Sequence, residues 1–174
     1  MIWNYLLFSM LFFLGLATRF LPHPANFTAI GAIAIFAGLY LPKKWIMVLP
    51  LLAMLISDFF IGFYTWQVML SVYLSFALMV MIGLIVRRKK KPVVILGGAI
   101  AGSLAFYLIT NLAVWVFSGL YPLTLTGLAQ CYFLALPFFK NSLLADIFYT
   151  TILVGSYELC QKYLVKEWVK VYLK

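Results

Sequence analysis

No charged side chain occurs between Asp58 and Arg87, and none between Lys91 and Lys140. Apolar runs of that length severely restrict what a chain can fold into. A helix that crosses the hydrocarbon of a bilayer needs roughly 20 mostly apolar residues. Composition points the same way. Apolar residues make up 66% and charged residues 10% of the chain, whereas a soluble domain carries about 25% charged residues. A chain of 174 residues buries only about 70% of its surface in water, so the excess apolar surface must face lipid. The expected fold class is an all-α integral membrane protein in one compact unit, with no second domain.

Six segments qualify as helices, over residues 3–20, 26–41, 45–62, 67–86, 93–117 and 141–164. The second is short and contains Gly31 and Gly38, so it is expected to be tilted, thinned or partly unwound. The stretch 118–140 is apolar enough for a seventh, but Pro122, Gly127 and Pro137 interrupt it. It reads as an outer re-entrant or interfacial hairpin packed in protein, since lipid cannot satisfy free backbone groups.

Charge placement supports an even number of spans. Lys43 and Lys44 follow the second helix, Arg87 to Lys91 the fourth, and Lys162, Lys166, Lys170 and Lys174 the sixth. With six spans, all of the 13 basic residues except Arg19 and Lys140 lie on one face. The positive-inside rule makes that face cytoplasmic, with both termini there. Tryptophans mark helix ends: Trp3, Trp45 and Trp168 inside, Trp66 and Trp115 outside, at the headgroup level such rings prefer. The lysines of the tail, residues 165–174, read as a basic helix lying on anionic lipid. The net charge of +9 is thus explained by topology, with no nucleic-acid partner. The first segment, "WNYLLFSMLFFLGLATRF", lacks a basic n-region and an A-x-A site and is expected to be retained. Cys131 and Cys160 show no paired metal spacing, and neither a metal nor a cofactor is expected.

The other polar residues gather on the outer side. Arg19, His23 and Asn26 lie at the first outer joint; Asp58 is near the outer end of the third helix, and Trp66 follows. Asn111 and Trp115 sit in the outer third of the fifth helix. Tyr121 and Cys131 lie in the long outer segment, and Asn141 and Asp146 begin the sixth helix. An ionisable group at the membrane centre costs about 2.5–3.5 kcal/mol on insertion scales and usually faces a bundle interior or a wet cavity. The expectation is a pocket open to the outside, with these eleven residues as candidate substrate contacts. Each also has a plainer role. His23 reads equally as an exposed loop residue, and Asn26 and Asn141 as helix N-caps. Asp58 is a partner for Arg19, and Asp146 an acid favoured by a helix dipole. Asn111 reads as interhelical glue, Cys131 as a small core residue, and Trp66, Trp115 and Tyr121 as packing or belt aromatics. Gly98 with Gly102, and Ala34 with Gly38, are spaced for close helix contact, within the chain or with a partner.

The runs "RFLPHPANFTAIGAIAIFAG", "ISD", "TNLAVW", "YPLTLTGLAQCYFLALPFFKNSLLADIFY" and "VG" resemble a bacterial family of transport proteins of unassigned substrate. That family is in turn similar to the S components of energy-coupling factor (ECF) transporters. The likeness covers nearly the whole chain. It implies a six-helix protein that captures a vitamin-like micronutrient or metal complex near the outer face. An ECF transmembrane subunit with two ATPases would then drive uptake. The first helix, "YLLFSMLFFLGLA", departs from the A-x-x-x-A patch with which many S components dock, so docking to a shared module is in doubt. Some solitary S components for cobalamin use a cysteine thiolate on cobalt; Cys131 is the cysteine that raises this role here, but the chain carries no motif matching theirs.

Three functions remain open at this point: a substrate-capturing transport subunit, a membrane-embedded enzyme, and a structural or assembly protein without a ligand. The chain has no Walker motif, so transport needs a partner's ATP. G-x-S-x-G and H-E-x-x-H are also missing, and there is a single histidine. The expectation is therefore a non-enzymatic transport protein in the bacterial cytoplasmic membrane.

Overall fold

The computed structural model describes the backbone of residues 2–172 and the side chains of residues 5–163. Over these residues the chain is all-helical. In order the helices are α1 (Ile2–Phe20), α2 (Ile30–Tyr40), α3 (Val48–Ile61), α4 (Trp66–Val86), α5 (Pro92–Phe117) and α6 (Leu125–Tyr172). Among the described residues, three are long and apolar enough to cross a membrane: α4, α5 and α6 as far as Tyr163. Large apolar side chains such as Phe13, Phe59, Val93 and Leu125 point outward, while Ser57, Asp58, Ser103, Asp146 and Thr150 are buried. So much large apolar surface outside, with polar side chains buried within, suits a lipid-facing surface better than a wet one.

α2 is the centre of the bundle. Every residue from Ile30 to Leu39 is buried, as expected of a helix that is apolar all round. It packs chiefly on α4 and α6, and on α3. Its eleven residues rise about 16 Å, roughly half the hydrocarbon thickness, so its N-terminal end must be satisfied by protein. α2 begins four residues later than the sequence suggests. Asn26 is therefore no N-cap; it takes a left-handed conformation, φ 63°, which asparagine tolerates better than most residues. The Ala29 amide instead donates to Thr18 Oγ1 at the end of α1, 3.1 Å away.

Glycine lets α2 and α4 meet backbone to backbone. A Cβ on Gly38 would strike the Val80 carbonyl and the Leu84 amide, and one on Gly83 the Ile35 carbonyl. On α5, Gly98 faces Val86 and Ile82, and Gly102 faces Met79. The small-residue spacings thus serve contacts within the chain.

The hairpin expected over 118–140 does not form. Only Ser118–Thr124 connect α5 to α6, and residues 125–140 are the first turns of α6. Thr124 starts the helix, its Oγ1 accepting from the Gly127 amide at 3.1 Å, a standard N-cap bond. Gly127 sits against the Pro122 carbonyl. Pro137 lies inside the helix, where it removes one amide donor. The helix persists because α5 holds the same stretch from the side. Tyr107 Oη donates to the Tyr132 carbonyl, and Tyr132 Oη to the Leu108 carbonyl, each at 2.7 Å. The Tyr107 ring also packs on Phe139 at 4.7 Å. Asn141 consequently falls inside α6 and caps nothing. The backbone stays helical past 164, to Tyr172. The side chains of Trp3, Lys166, Trp168, Lys170 and Lys174, on which the aromatic-belt and basic-tail expectations partly rest, lie outside the described residues.

Gly38→Ala is expected to lower the unfolding midpoint in detergent, by an amount equivalent to about 1–3 kcal/mol of overpacking. Gly97→Ala, where a Cβ meets nothing within 4 Å, is the control and should not destabilise. Equal midpoints for the two variants would contradict the α2–α4 contact.

Candidate functional site: a cavity above the buried helix

The late start of α2 leaves a hollow of about 400 Å³ over its first turn. The floor is Gly31 with Met79 and Asp146. The walls come from Arg19 of α1, Met54 of α3, Val72 and Phe76 of α4 and Phe106 of α5. His23, Asn26 and Thr28 of the first loop form the lip with Ser142. Val72, Phe76 and Met79 reach the cavity together because residues three and four apart share a helix face.

Two carboxylates occupy this region in different ways. Asp58 is 1% exposed and its Oδ1 pairs with Arg19 Nη2 at 2.5 Å. Its Oδ2 accepts from Tyr73 Oη at 2.9 Å. One acid thus joins α1, α3 and α4. Asp146 lies across the cavity on α6, 5% exposed. Its Oδ2 accepts from Ser103 Oγ at 2.6 Å. Its Oδ1 sits against Gly31, in the first turn of α2. A carboxylate placed on the first turn of a helix answers amides that have no partner within the helix. Tyr64 stands in the α3–α4 turn, and burial, aided by the Asp58 carboxylate against the pull of Arg19, pushes its hydroxyl up to about 12. It is a neutral phenol at pH 7.

Of the residues singled out from sequence, Arg19, His23, Asn26 and Asp146 line the cavity. Asp58 lies behind Arg19. Asn141 braces the lip, its Nδ2 donating to the Ala25 carbonyl at 2.9 Å. His23 Nδ1 is 2.8 Å from the Pro24 carbonyl, which can only accept, so Nδ1 carries the proton. The structure places the others elsewhere. Asn111 donates to Tyr107 of its own helix, and its carbonyl accepts from Cys131 Sγ. Trp115 Nε1 donates to the Pro122 carbonyl at 3.0 Å. Tyr121 belongs to the same α5–α6 joint, and Trp66 is 64% exposed at the start of α4. The sequence reading missed Met54, Tyr64, Val72, Phe76, Met79 and Phe106. Their spacing carries no mark that separates a cavity wall from a lipid-facing stripe.

The opposite end of the bundle carries the cations. Lys90 Nζ lies 4.5 Å from the centroid of the Tyr40 ring, and Tyr40 Oη donates to Glu158 at 2.5 Å. A second cavity of about 450 Å³ opens there, between Lys90, Ile95, Val154 and Glu158, with Thr150 at its inner end. Thr150 is fully buried and its hydroxyl has no partner among the described residues.

A model of a family of unknown function, DUF6580, matches residues 2–168. Neither a characterised protein nor a solved structure matches the chain.

Asp58→Asn should destabilise the protein by about 3 kcal/mol, because it strands a largely buried guanidinium. The double variant Arg19→Met with Asp58→Leu should recover most of that loss in the same melting experiment. Thr150→Val should leave the midpoint unchanged or raise it, by about 1 kcal/mol at most, since an unsatisfied hydroxyl is removed. A fall would show that Thr150 has a partner.

Proposed function

We propose that this chain, which belongs to the DUF6580 family, captures a small micronutrient from the outer side of a bacterial cytoplasmic membrane for uptake. The observation that carries the reading is the cavity over α2. Small-molecule sites are concave, largely apolar, and fitted with a few convergent polar groups in about 300–1,000 Å³. This hollow meets that description, with Arg19, Asp146 and the first-loop side chains as its polar set.

In this reading the chain traverses the membrane six times, with the short α2 wrapped in protein rather than lipid. The end bearing Lys43, Lys44 and Arg87 to Lys91 is cytoplasmic by the positive-inside rule. The cavity then opens outward, away from the cationic end. The first loop and α6 meet at its lip through Asn141. Without a Walker motif of its own, the chain takes energy from a partner. Coupling to an ECF-type transmembrane subunit with two ATPases is the finer form of the proposal; it rests on the sequence resemblance alone, and the first helix lacks the A-x-x-x-A docking patch. Asp58 acts as the strut that holds Arg19 in place rather than as a ligand contact.

Native mass spectrometry of gently extracted protein tests the reading. A small molecule should co-purify at one per chain. Val72→Trp, which fills the cavity without touching either carboxylate, should abolish it while the protein still melts cooperatively. Retention of the same molecule by the filled variant would place capture elsewhere, and a chain that never carries a small molecule would remove the transport reading.

A further inference from the structure

We propose that the molecule held in the outer cavity is an organic cation, with Asp146 as its counter-ion; the inference rests on the capture reading above. The charge count of the cavity leads to it. One strong base and two carboxylic acids stand in or behind the wall, Arg19, Asp58 and Asp146, with His23 at the lip. Arg19 and Asp58 cancel, at 2.5 Å and with Tyr73 on the second oxygen of the acid. Asp146 faces the same space, is 5% exposed, and among the described residues has no cationic side chain within salt-bridge distance.

The partners Asp146 does have leave it incompletely answered. An ionised carboxylate offers about four acceptor positions. Ser103 Oγ fills one. The first turn of α2 contributes only about half a positive charge. A carboxylate this deep normally faces a partner charge or a wet cavity, and here the cavity is where the missing positive charge has room to sit.

The other walls favour the same class of ligand. Phe76 and Phe106 pack against each other at 5.0 Å and both line the hollow, as does Tyr64. Aromatic faces attract alkylammonium and related cations most strongly where water is excluded. An anionic ligand would have to approach Asp146 with only Arg19 to offset it among the described residues, and although the Arg19 Nε has no partner there, its charge is already balanced by Asp58. A neutral ligand would leave the carboxylate as it is. A ring-bearing ammonium or iminium group satisfies both the acid and the aromatic walls.

Three water-soluble ring compounds of different charge decide the matter: benzyltrimethylammonium, benzyl alcohol and benzoate, titrated into detergent-solubilised protein by calorimetry. The cation should bind saturably, on the order of tenfold tighter than either of the others. Asp146→Asn should erase that preference, and Thr150→Val, outside the cavity, should keep it. Equal or tighter binding of benzoate or benzyl alcohol overturns the charge assignment and leaves the capture reading standing. So does an unchanged preference in Asp146→Asn. If that variant does not fold, the wild-type series alone decides. Should none of the three bind, the co-purified molecule decides: a cation upholds the proposal, and a neutral or anionic species overturns it. No bound molecule of any kind removes both readings.

Discussion

A helix of eleven residues at the centre of an apolar bundle imposes the constraint from which the other features follow. α2 is about half as long as a bilayer's hydrocarbon is thick, and while its C-terminal end runs out to the exposed Lys43 and Lys44, its N-terminal end stays buried inside the bundle. Its first amides need acceptors supplied by the protein. Thr18 of α1 accepts from the Ala29 amide, and the Asp146 carboxylate of α6 stands against the first turn. Glycine at position 31 is part of the same solution, because any side chain there would collide with the Asp146 carboxylate and with Met79. The shortness of α2 also leaves empty space over its N-terminus, which the first loop arches across without filling. The cavity and the buried acid thus have one origin.

The two acids show how identical side chains acquire different roles from their surroundings. Asp58 is spent on structure: it neutralises Arg19 and ties three helices at the edge of the cavity. Breaking such a pair is costly because the partner cannot follow its counter-charge into solvent. Asp146 is anchored only by dipoles, a hydroxyl and a helix end, which orient a charge without cancelling it. Both acids are buried, but one meets a cation and the other a hollow, and that contrast is what gives the cavity its chemical character.

Much of the architecture was legible in the residues. The apolar runs located all six helices, and the Gly98–Gly102 and Ala34–Gly38 spacings marked faces that do pack closely. The gathering of Arg19, His23, Asn26 and Asp146 into one region was readable too, because polar groups are rare enough in this chain for their clustering to stand out. The stretch from Ser118 to Lys140 was not legible. Proline and glycine were read there as local breakers, but Thr124 caps a helix and the Tyr107 and Tyr132 hydroxyls pin it along α5, so lateral packing overrides the local signal. Asn26 and Asn141 look like caps in sequence, and each proves to serve the first loop instead.

What the sequence determined by itself is the class of solvent the surface must meet and the places where the chain turns, since both depend on runs of neighbouring residues. Which acid is neutralised and which is left facing a void was decided only by the tertiary structure. That outcome depends on whether a side chain thirty or more positions away, Arg19 for Asp58 or Ser103 for Asp146, arrives as a charge or as a dipole. Electrostatic compensation acts over a few ångströms in space, and adjacency along the chain carries no record of it.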